Sequence, residues 1–326
     1  MRRLSLLMLC FSLALSVNAQ PRGWRDRTGM VITDPNVHDP VMALEDTTFY
    51  LFYTGMFVPR MSSTDLEHWR FERNVFPNAP QWAMDSVPGY RGHTWAPDIV
   101  HHYGKWHLYY SCSTFGKNRS VIGHAECTTL NPNDTLNSWH DTGLVVASHN
   151  QDDYNAIDPS VIVDAEGTPW MAFGSFWSGI QLVRLTPDMA HVDSAYSQRV
   201  IARRSRGKAI EAPFLYHHGD YYYLFVSWDY CCRKEQSDYK VVVGRSKHIE
   251  GPYLDRTGKS MLKGGGTFIY EGDDRMIAGG HSAAYTFRGE DYFICHGYTR
   301  EYGESKLVLR KILWDNDWPI LLCEER

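Results

Sequence analysis

Short apolar runs alternate with polar turns along most of the chain, and five segments repeat the same order of features. Each has an acidic residue or a histidine near its start, then a short apolar strand, a polar turn and a strand rich in aromatic residues. The five segments start at His38, Trp95, Ile157, Glu211 and Gly279. No window longer than about a dozen residues has clean helical apolar spacing. The pattern therefore predicts an all-β chain built from a repeated pair of strands.

A proline follows the start of four segments at a regular interval. Pro40, Pro97, Pro159 and Pro213 are 57, 62 and 54 residues apart, and we expect Ala283 at the matching position of the fifth segment. A supersecondary unit repeated in this way is the signature of a propeller. We therefore predict a five-bladed β-propeller that forms a single domain. Its equivalent strands are expected to bring five side chains to one end of a central channel: Asp39, Asp98, Asp158, Glu211 and His281.

The first 19 residues have the pattern of a secretory signal peptide. Arg2 and Arg3 precede an apolar stretch of 14 residues from Leu4 to Val17, and Ala19 ends a small-residue cleavage sequence. The apolar stretch is too short for a membrane-spanning helix, which needs about 20 residues. We expect a domain of residues 20–326 that is secreted or periplasmic and no longer attached to a membrane.

Composition and charge narrow the classes of partner. The net charge is −5 and no long basic run occurs, which argues against a nucleic-acid partner. The chain also contains 11 Trp and 20 Tyr. Most of these aromatic residues suit a strand-rich core, and we expect a few of them to line a ligand cleft.

Six cysteines follow the predicted cleavage point: Cys112, Cys127, Cys231, Cys232, Cys295 and Cys323. The absence of CxxC pairs argues against a zinc site. Because a bond between neighbouring cysteines needs a strained turn, we expect Cys231 and Cys232 to be free thiols or to contribute one distant bridge.

Three carboxylates, Asp39, Asp158 and Glu211, are flanked by apolar residues at the starts of predicted innermost strands. Asp-Pro also marks turns before strands, but three acids in equivalent positions favour a site. Burial and neighbouring charges raise a carboxyl pKa, so such a cluster can hold one acid protonated beside an ionised partner. Glycoside hydrolysis uses that pairing.

Three further side chains belong to the same predicted end of the channel. Asp98, displaced by one residue, is interpreted as a structural residue that hydrogen-bonds a blade turn. His281 is expected to meet the channel, where it can orient a water molecule or a hydrated cation. His38 points either into the blade or to a substrate, and we favour the substrate.

Several motifs in order resemble glycoside hydrolase family 43, in its endo-α-1,5-L-arabinanase branch. They are VHDPVM, WAPDI, NAIDPS, FGSFWSGIQL, IEAPF, SWDYCCR and GGHSAAY. The resemblance runs from about Pro35 to the C-terminal tryptophans. It implies a five-bladed propeller, in agreement with the repeat pattern, and the Cys231-Cys232 pair matches a Cys-Cys found in many arabinanases.

The resemblance also implies an activity, namely inverting hydrolysis of internal α-1,5 linkages in arabinan, a side chain of pectin. Asp39 is then the general base, Glu211 the general acid, and Asp158 the residue that raises the pKa of Glu211. A hydrated calcium ion is expected near the channel centre, held mainly through waters beside His281.

Substrate contacts are assigned by the same resemblance to aromatic and polar residues around the cleft. The aromatic ones are Trp95, Phe115 and Trp177, and the polar ones are His38, Asn155 and Ser178. We expect a monomer that acts on arabinan or arabino-oligosaccharides. Within the same family, an exo-acting arabinanase, an α-L-arabinofuranosidase and a β-xylosidase stay open as alternatives. A sugar-binding propeller without activity also stays open, although it predicts the loss of at least one of the three acids.

Overall fold

The computed structural model describes residues 26–205 and 208–322, and it folds as five antiparallel sheets. The all-β, five-bladed prediction is confirmed. Each sheet is one blade, and its first strand lies next to the first strands of the neighbouring blades. The ring closes because the first strand of blade five contacts the first strand of blade one. These five strands are called the innermost strands below; in blade one the innermost strand is Val41–Glu45, because the earlier strand Val31–Ile32 lies at the outer edge.

The four main strands of each blade follow one another along the chain, except that the outermost strand of blade one, Val31–Ile32, comes first in the sequence. Blade one contains Val31–Ile32, Val41–Glu45, Thr48–Phe52, Arg60–Ser63 and Trp69–Phe71. Blade two contains His93–His102, Lys105–Cys112, Ser120–Cys127 and His140–Ser148, with Gly55–Met56 added at its edge. Blade three contains Ser160–Val163, Pro169–Phe173, Ile180–Arg184 and Arg199–Ala202.

The last two blades follow the same rule with longer innermost strands. Blade four contains Ile210–His218, Tyr221–Trp228, Lys240–Ser246 and Thr267–Tyr270. Blade five contains Met276–Phe287, Glu290–Thr299, Ser305–Asp315 and Trp318–Leu321. The innermost strands of blades one to five thus begin at Val41, His93, Ser160, Ile210 and Met276.

Helical structure is limited to short pieces among the described residues. One α-helix spans Gln81–Ser86, and two 3₁₀ turns span Lys234–Gln236 and Met261–Lys263. None of the helices in residues 26–205 and 208–322 has the length and apolar character needed to cross a membrane. The predicted signal peptide, residues 1–19, lies outside the described residues.

The apolar core lies between adjacent blades, where the faces of neighbouring sheets meet. Phe49 of blade one packs edge-on against Phe287 of blade five, with ring centroids 5.5 Å apart. Phe214 of blade four meets Tyr285 of blade five at 5.4 Å. Such edge-to-face pairs contribute beyond the area that they bury. The segment before blade one adds to ring closure, because Asn36 forms a β-bridge with Lys306 of blade five.

Three details of the predicted repeat are wrong by one or two residues. The backbone positions equivalent to Asp39 and Asp158 are Ala96 and Ala212, since all four precede a proline and have positive φ. Asp98 therefore lies two residues further along its strand, and Glu211 lies one residue earlier. In blade five the equivalent residue is His281, so Ser282, not Ala283, takes the position of the prolines.

The expectation for the adjacent cysteines is also wrong, because Cys231 and Cys232 form a disulfide with each other. Cys232 adopts a left-handed backbone conformation, φ 66°, in the loop after the second strand of blade four. The buried residues Cys112, Cys127 and Cys295 are free thiols. Cys323 lies outside the described residues.

Candidate active site

Five residues with left-handed backbones form a ring at one end of the channel. They are Asp39, Ala96, Asp158, Ala212 and His281, with φ between 42° and 59°. Non-glycine residues rarely adopt this conformation, and it persists only where the surrounding structure holds it. Each of the five stands near the start of an innermost strand, so their side chains or those of their neighbours meet at the same end.

Hydrogen bonds between neighbouring blades hold four of these residues in place. Each backbone N–H is accepted by a side chain at the end of the second strand of the preceding blade. The pairs are Ala96 with Thr54 Oγ1 at 2.8 Å, Asp158 with Ser111 Oγ at 3.0 Å, His281 with Ser227 Oγ at 2.8 Å, and Asp39 with His296 Nδ1 at 3.1 Å. The ring of turns is thus fixed by side chains that belong to the adjacent blade.

Asp39 is buried and accepts hydrogen bonds on both carboxylate oxygens. Oδ2 accepts from Thr54 Oγ1 at 2.5 Å, while Oδ1 lies 2.8 Å from His38 Nδ1 and 3.0 Å from His281 Nδ1. Burial alone would raise the pKa of Asp39, but the electrostatic and hydrogen-bond interactions with the rings of His38 and His281 hold it well below its ordinary value. Asp39 is therefore an ionised carboxylate at neutral pH.

His296 is close to the same carboxylate but forms no ion pair with it. Its Nδ1 lies 3.6 Å from Asp39 Oδ1 and accepts the backbone N–H of Asp39, so this nitrogen carries no proton. Burial is the main reason that the pKa of His296 lies well below its ordinary value. His296 is a neutral ring that holds the backbone of Asp39.

Asp158 and Glu211 form the second group of buried carboxyls. Asp158 Oδ2 accepts the N–H of Ala212 at 3.1 Å, and Glu211 Oε2 accepts the hydroxyl of Ser175 at 2.7 Å. Tyr239, almost fully buried, also donates to Glu211. These bonds fix both side chains on neighbouring innermost strands.

The pKa values of these two carboxyls shift in the opposite direction from that of Asp39. Burial, followed by the negative charges of Glu211 and Asp39 against the opposing charge of His281, raises the pKa of Asp158 to about 8. Burial also raises the pKa of Glu211, despite hydrogen bonds from Ser175 and Tyr239 that lower it. Because the two groups titrate together, the raised pKa values favour one proton on the pair at neutral pH.

His281 stands between the two groups of carboxylates. Burial lowers the pKa of His281, but the charge and hydrogen bond of Asp39 and the charges of Asp158 and Glu211 raise it to about 9. A positive charge at this ring therefore lies among three acids. A cation bound at Nε2 would replace the ring proton and leave positive charge in the same place.

The donor set around His281 fits a hydrated calcium ion but not a protein cage. Calcium takes about six to eight oxygen ligands, and among the described residues His281 belongs to no cluster of three or more potential ligands. Asp39 already holds Nδ1, which is the arrangement of a metal-bound histidine oriented by a carboxylate. Water would have to supply most of the other ligands.

Asp98, the fourth acid of the predicted ring, bonds to the next blade. Its Oδ2 accepts the backbone N–H of Val161 at 2.6 Å, deeper along the innermost strands. Burial raises the pKa of Asp98 to about 7, against the hydrogen bonds from the backbone. Asp98 thus holds backbone as expected from the sequence, but its partner belongs to the strand Ser160–Val163 and not to a turn.

The predicted substrate-binding residues differ in how accessible they are. Phe115 and Trp177 are 83% and 48% exposed in loops that follow second strands, at the same end as the carboxylates. Trp95 is half-buried and occupies in blade two the position that Glu211 occupies in blade four. Ser178 is half-buried and accepts from Gln181 Nε2 at 3.0 Å.

Asn155 and His38 have most of their polar atoms engaged within the protein. Asn155 is buried, and its Oδ1 accepts the hydroxyl of Ser120 at 2.7 Å. His38 is partly exposed, and its Nε2 lies 2.8 Å from the hydroxyl of Tyr298. A sugar would contact the exposed part of the His38 ring, since both nitrogens already have partners.

Several residues of the site were missed at the level of sequence, and some of them had a usable signal. Thr54, Ser111, Gly174, Ser227 and His296 end five aligned aromatic strands, in LFYTG, LYYSC, MAFGS, LFVSW and FICHG. Aligning the five repeats predicts that these five residues occupy equivalent positions in the blades. Tyr239 and Tyr298 lie outside this position and had no comparable signal.

Comparison with known proteins agrees with the fold. Residues 29–319 match the model of glycosyl hydrolases family 43. An exo-1,5-α-L-arabinanase from a bovine ruminal metagenomic library has a similar solved structure, with TM-score 0.87 and 54% identity, covering 89% of this chain and 98% of that one.

Two further relatives come from bacteria. The α-L-arabinanase of Cellvibrio cellulosa, solved with arabinohexaose, has TM-score 0.86 and 44% identity, covering 88% of this chain and 96% of that one. Extracellular endo-α-(1→5)-L-arabinanase 1 of Bacillus subtilis is 41% identical over 289 residues, covering 87% of each protein. The family match over most of the chain and these identities show that the chain belongs to glycosyl hydrolase family 43.

Proposed function

We propose that this protein hydrolyses the α-1,5 linkages of L-arabinan with inversion at the anomeric carbon. The observation that carries the proposal is the contrast between Asp39, held ionised, and the pair Asp158 and Glu211, which shares a proton. Inverting glycosidases need one carboxylate and one carboxylic acid on opposite sides of the scissile bond. Related arabinanases and the arabinohexaose complex of one of them support arabinan as the substrate.

In the proposed reaction, Asp39 accepts a proton from a water molecule as the water oxygen attacks the anomeric carbon. The bond from that carbon to the leaving sugar oxygen breaks, and Glu211 donates its proton to this oxygen. Asp158 keeps the shared proton available to Glu211, because two like charges side by side are unfavourable. Thr54 and His38 hold the carboxylate of Asp39 in position through the bonds described above.

Substrate binding is proposed to use the exposed aromatic side chains at the same end of the channel. Trp95, Phe115 and Trp177 offer faces on which the C–H groups of arabinofuranose can pack. His38, Asn155 and Ser178 are the polar residues assigned to orientation. Asn155 is the weakest of these assignments, because it is buried and its oxygen is occupied by Ser120.

The position of attack along the arabinan chain has two candidates. The sequence motifs favour an endo-acting enzyme, and the endo-acting relative of Bacillus subtilis is 41% identical. An exo-acting relative of solved structure is 54% identical, and this higher identity favours release of products from chain ends as the second candidate. Both candidates use the same carboxylates.

A hydrated calcium ion beside His281 is part of the proposal. His281 Nε2 would hold it, and its charge would stabilise the surrounding carboxylates. Chelation should lower the rate or the melting temperature without abolishing the fold. An unchanged rate and an unchanged melting temperature after thorough chelation would refute the proposed calcium ion.

Secretion and a monomeric state complete the proposal. Secretion rests on the pattern of residues 1–19 and on the extracellular relative. The whole ring of blades belongs to one chain, so the carboxylates need no residue from a second copy.

The experiment that tests the function is the product profile on linear and branched arabinan, beside xylan and aryl glycosides, with Glu211→Gln as the control. A ladder of arabino-oligosaccharides indicates endo action, and one small product from chain ends indicates exo action. Cleavage of xylan alone, or full activity of Glu211→Gln, would refute the proposal. Binding without release of any product would favour a sugar-binding propeller.

A further inference from the structure

The partner of His38 on the side away from Asp39 is the hydroxyl of Tyr298. His38 Nδ1 lies 2.8 Å from Asp39 Oδ1, and His38 Nε2 lies 2.8 Å from the Tyr298 oxygen. The His38 ring also stacks on His296, with centroids 3.8 Å apart. One imidazole thus joins the carboxylate to a tyrosine on the second strand of blade five.

The hydrogen atoms in this row can be assigned from the chemistry of the groups. An ionised carboxylate only accepts hydrogen bonds, so His38 Nδ1 must carry the proton that points at Asp39. In the neutral ring, Nε2 is then an acceptor and needs a donor. The Tyr298 hydroxyl is that donor, because its oxygen already accepts the backbone N–H of Cys232 at 2.9 Å.

The position of the Tyr298 hydroxyl is fixed by the loop between the second and third strands of blade four. Ser237 of blade four is a second hydrogen-bond partner of its hydroxyl, and the side chain is buried. Cys232 presents its N–H from a left-handed backbone, and its disulfide with Cys231 closes that turn. The Cys232 sulfur also lies 3.7 Å from His38 Nε2.

The same strand of blade five holds Asp39 at a second point. His296, two residues before Tyr298, accepts the backbone N–H of Asp39 at 3.1 Å. The strand Glu290–Thr299 therefore contacts Asp39 in two ways. His296 binds the backbone N–H of Asp39 directly, and Tyr298 reaches the carboxylate of Asp39 through His38. Blade four, blade five and blade one meet in this arrangement.

We propose that Tyr298 is a positioning residue for the reaction, which acts on Asp39 by fixing the orientation and tautomer of His38. The proposal rests on the proposed role of Asp39 as the general base. Loss of the hydroxyl leaves His38 Nε2 without its donor and frees the ring to rotate. A base that is displaced in this way affects the chemical step more than the binding of sugar.

The test compares Tyr298→Phe with Tyr285→Phe in the full chain, with kinetics on linear arabinan. Tyr285 is the matched control, because its hydroxyl accepts a buried backbone N–H, that of Met42, on the innermost strand of the same blade as Asp39. We expect Tyr298→Phe to lower kcat roughly tenfold with KM unchanged. Tyr285→Phe should leave both constants near wild type.

The ring ¹⁵N chemical shifts of His38 supply a second readout, which a general loss of structural stability would not change in the same specific way. In wild type His38 should show a protonated Nδ1 and a hydrogen-bonded Nε2, and in Tyr298→Phe the Nε2 signal should move to that of a free acceptor. Wild-type kcat and ¹⁵N shifts in Tyr298→Phe would overturn the proposal. An equal loss of kcat in both tyrosine variants would overturn it as well.

A fallback measurement and one further variant make the outcome decisive. If Tyr298→Phe does not fold, the ring ¹⁵N shifts of His38 in the wild-type protein take its place, and an Nε2 that is free of a hydrogen bond overturns the proposal. Asp39→Asn separates this inference from the proposed function. An inactive Asp39→Asn beside a fully active Tyr298→Phe refutes the positioning role alone, whereas an active Asp39→Asn refutes the base and the positioning role together.

Discussion

Asp158 Oδ2 accepts the backbone N–H of Ala212, the residue that follows Glu211, at 3.1 Å. At the other four junctions between blades, the equivalent N–H is accepted by a side chain from a second strand. At this junction that position is Gly174, which has no side chain, and its N–H instead donates to Ile157 O. The carboxylate of Asp158 accepts the N–H in place of the missing side chain. The bond to Ala212 thereby holds the Asp158 carboxylate next to the strand that carries Glu211.

Replacing Asp158 by Asn separates its charge from its position. The amide oxygen of Asn can still accept the Ala212 N–H, but the negative charge that raises the pKa of the neighbouring acid is gone. Glu211 should then lose its proton at lower pH, so the high-pH limb of the kcat profile should move to lower pH. Asp158→Ala loses the bond as well, and its kcat should fall further, by roughly a hundredfold. An unmoved limb in Asp158→Asn would contradict the coupling of the two carboxyls.

Ser175→Ala should shift the same limb in the opposite direction. The Ser175 hydroxyl donates to Glu211 Oε2 at 2.7 Å and lowers the pKa of Glu211 by stabilising the charged form. Without this donor the pKa of Glu211 rises further, and the high-pH limb of kcat should move to higher pH. A shift to lower pH, measured on the same substrate, would mean that Ser175 does not act on the charged form of Glu211.

Thr54 connects Asp39, the proposed general base, to the next blade. Its hydroxyl donates to Asp39 Oδ2 at 2.5 Å and accepts the Ala96 N–H at 2.8 Å. Thr54→Val keeps the shape but leaves both groups unpaired, which should cost about 1–3 kcal/mol in the free energy of unfolding and roughly tenfold in kcat. Thr54→Ser keeps the hydroxyl and serves as the control. Denaturant unfolding and kinetics that do not distinguish Val from Ser would count against this role.

Trp177→Ala and Phe115→Ala test the proposed sugar contacts. Because both side chains are exposed, their loss should leave stability unchanged and raise KM about fivefold, as expected for about 1 kcal/mol of aromatic packing. Tyr103→Ala is the control, since Tyr103 is 80% exposed in the hairpin turn at the opposite end of the innermost strand of blade two. Equal KM values for all three variants and wild type would exclude the two aromatic residues from binding.

The sequence predicted the features that repeat. The spacing of the prolines and the aromatic strands gave five blades, and the acids Asp39, Asp158 and Glu211 meet at one end of the channel as expected. The errors of two residues at Asp98 and of one residue at Glu211 arose because the prolines, not the acids, mark equivalent backbone positions. In both strands an Ala-Pro pair takes the equivalent positions, and Asp98 follows its pair whereas Glu211 precedes its pair.

The parts that could not be predicted depend on contacts between distant segments. Tyr298 and Cys232 reach His38 from two other blades, and no local pattern encodes those approaches. The Cys231–Cys232 disulfide was missed because its strained turn is stabilised by the surrounding structure, which propensity arguments leave out. Tyr239 was missed for the same reason, since it lies on the segment before the third strand of blade four and reaches Glu211 only in the folded ring.

The most direct test of the central claim is the anomeric configuration of the product when it first forms. Wild-type protein is mixed with linear arabinan, and the ¹H NMR signals of the new reducing ends are followed from the first minutes. If Asp39 activates water while Glu211 protonates the leaving oxygen, the β anomer appears first and the α anomer grows later by mutarotation. An α anomer that forms first would mean retention, and it would contradict the assignment of Asp39 as a base.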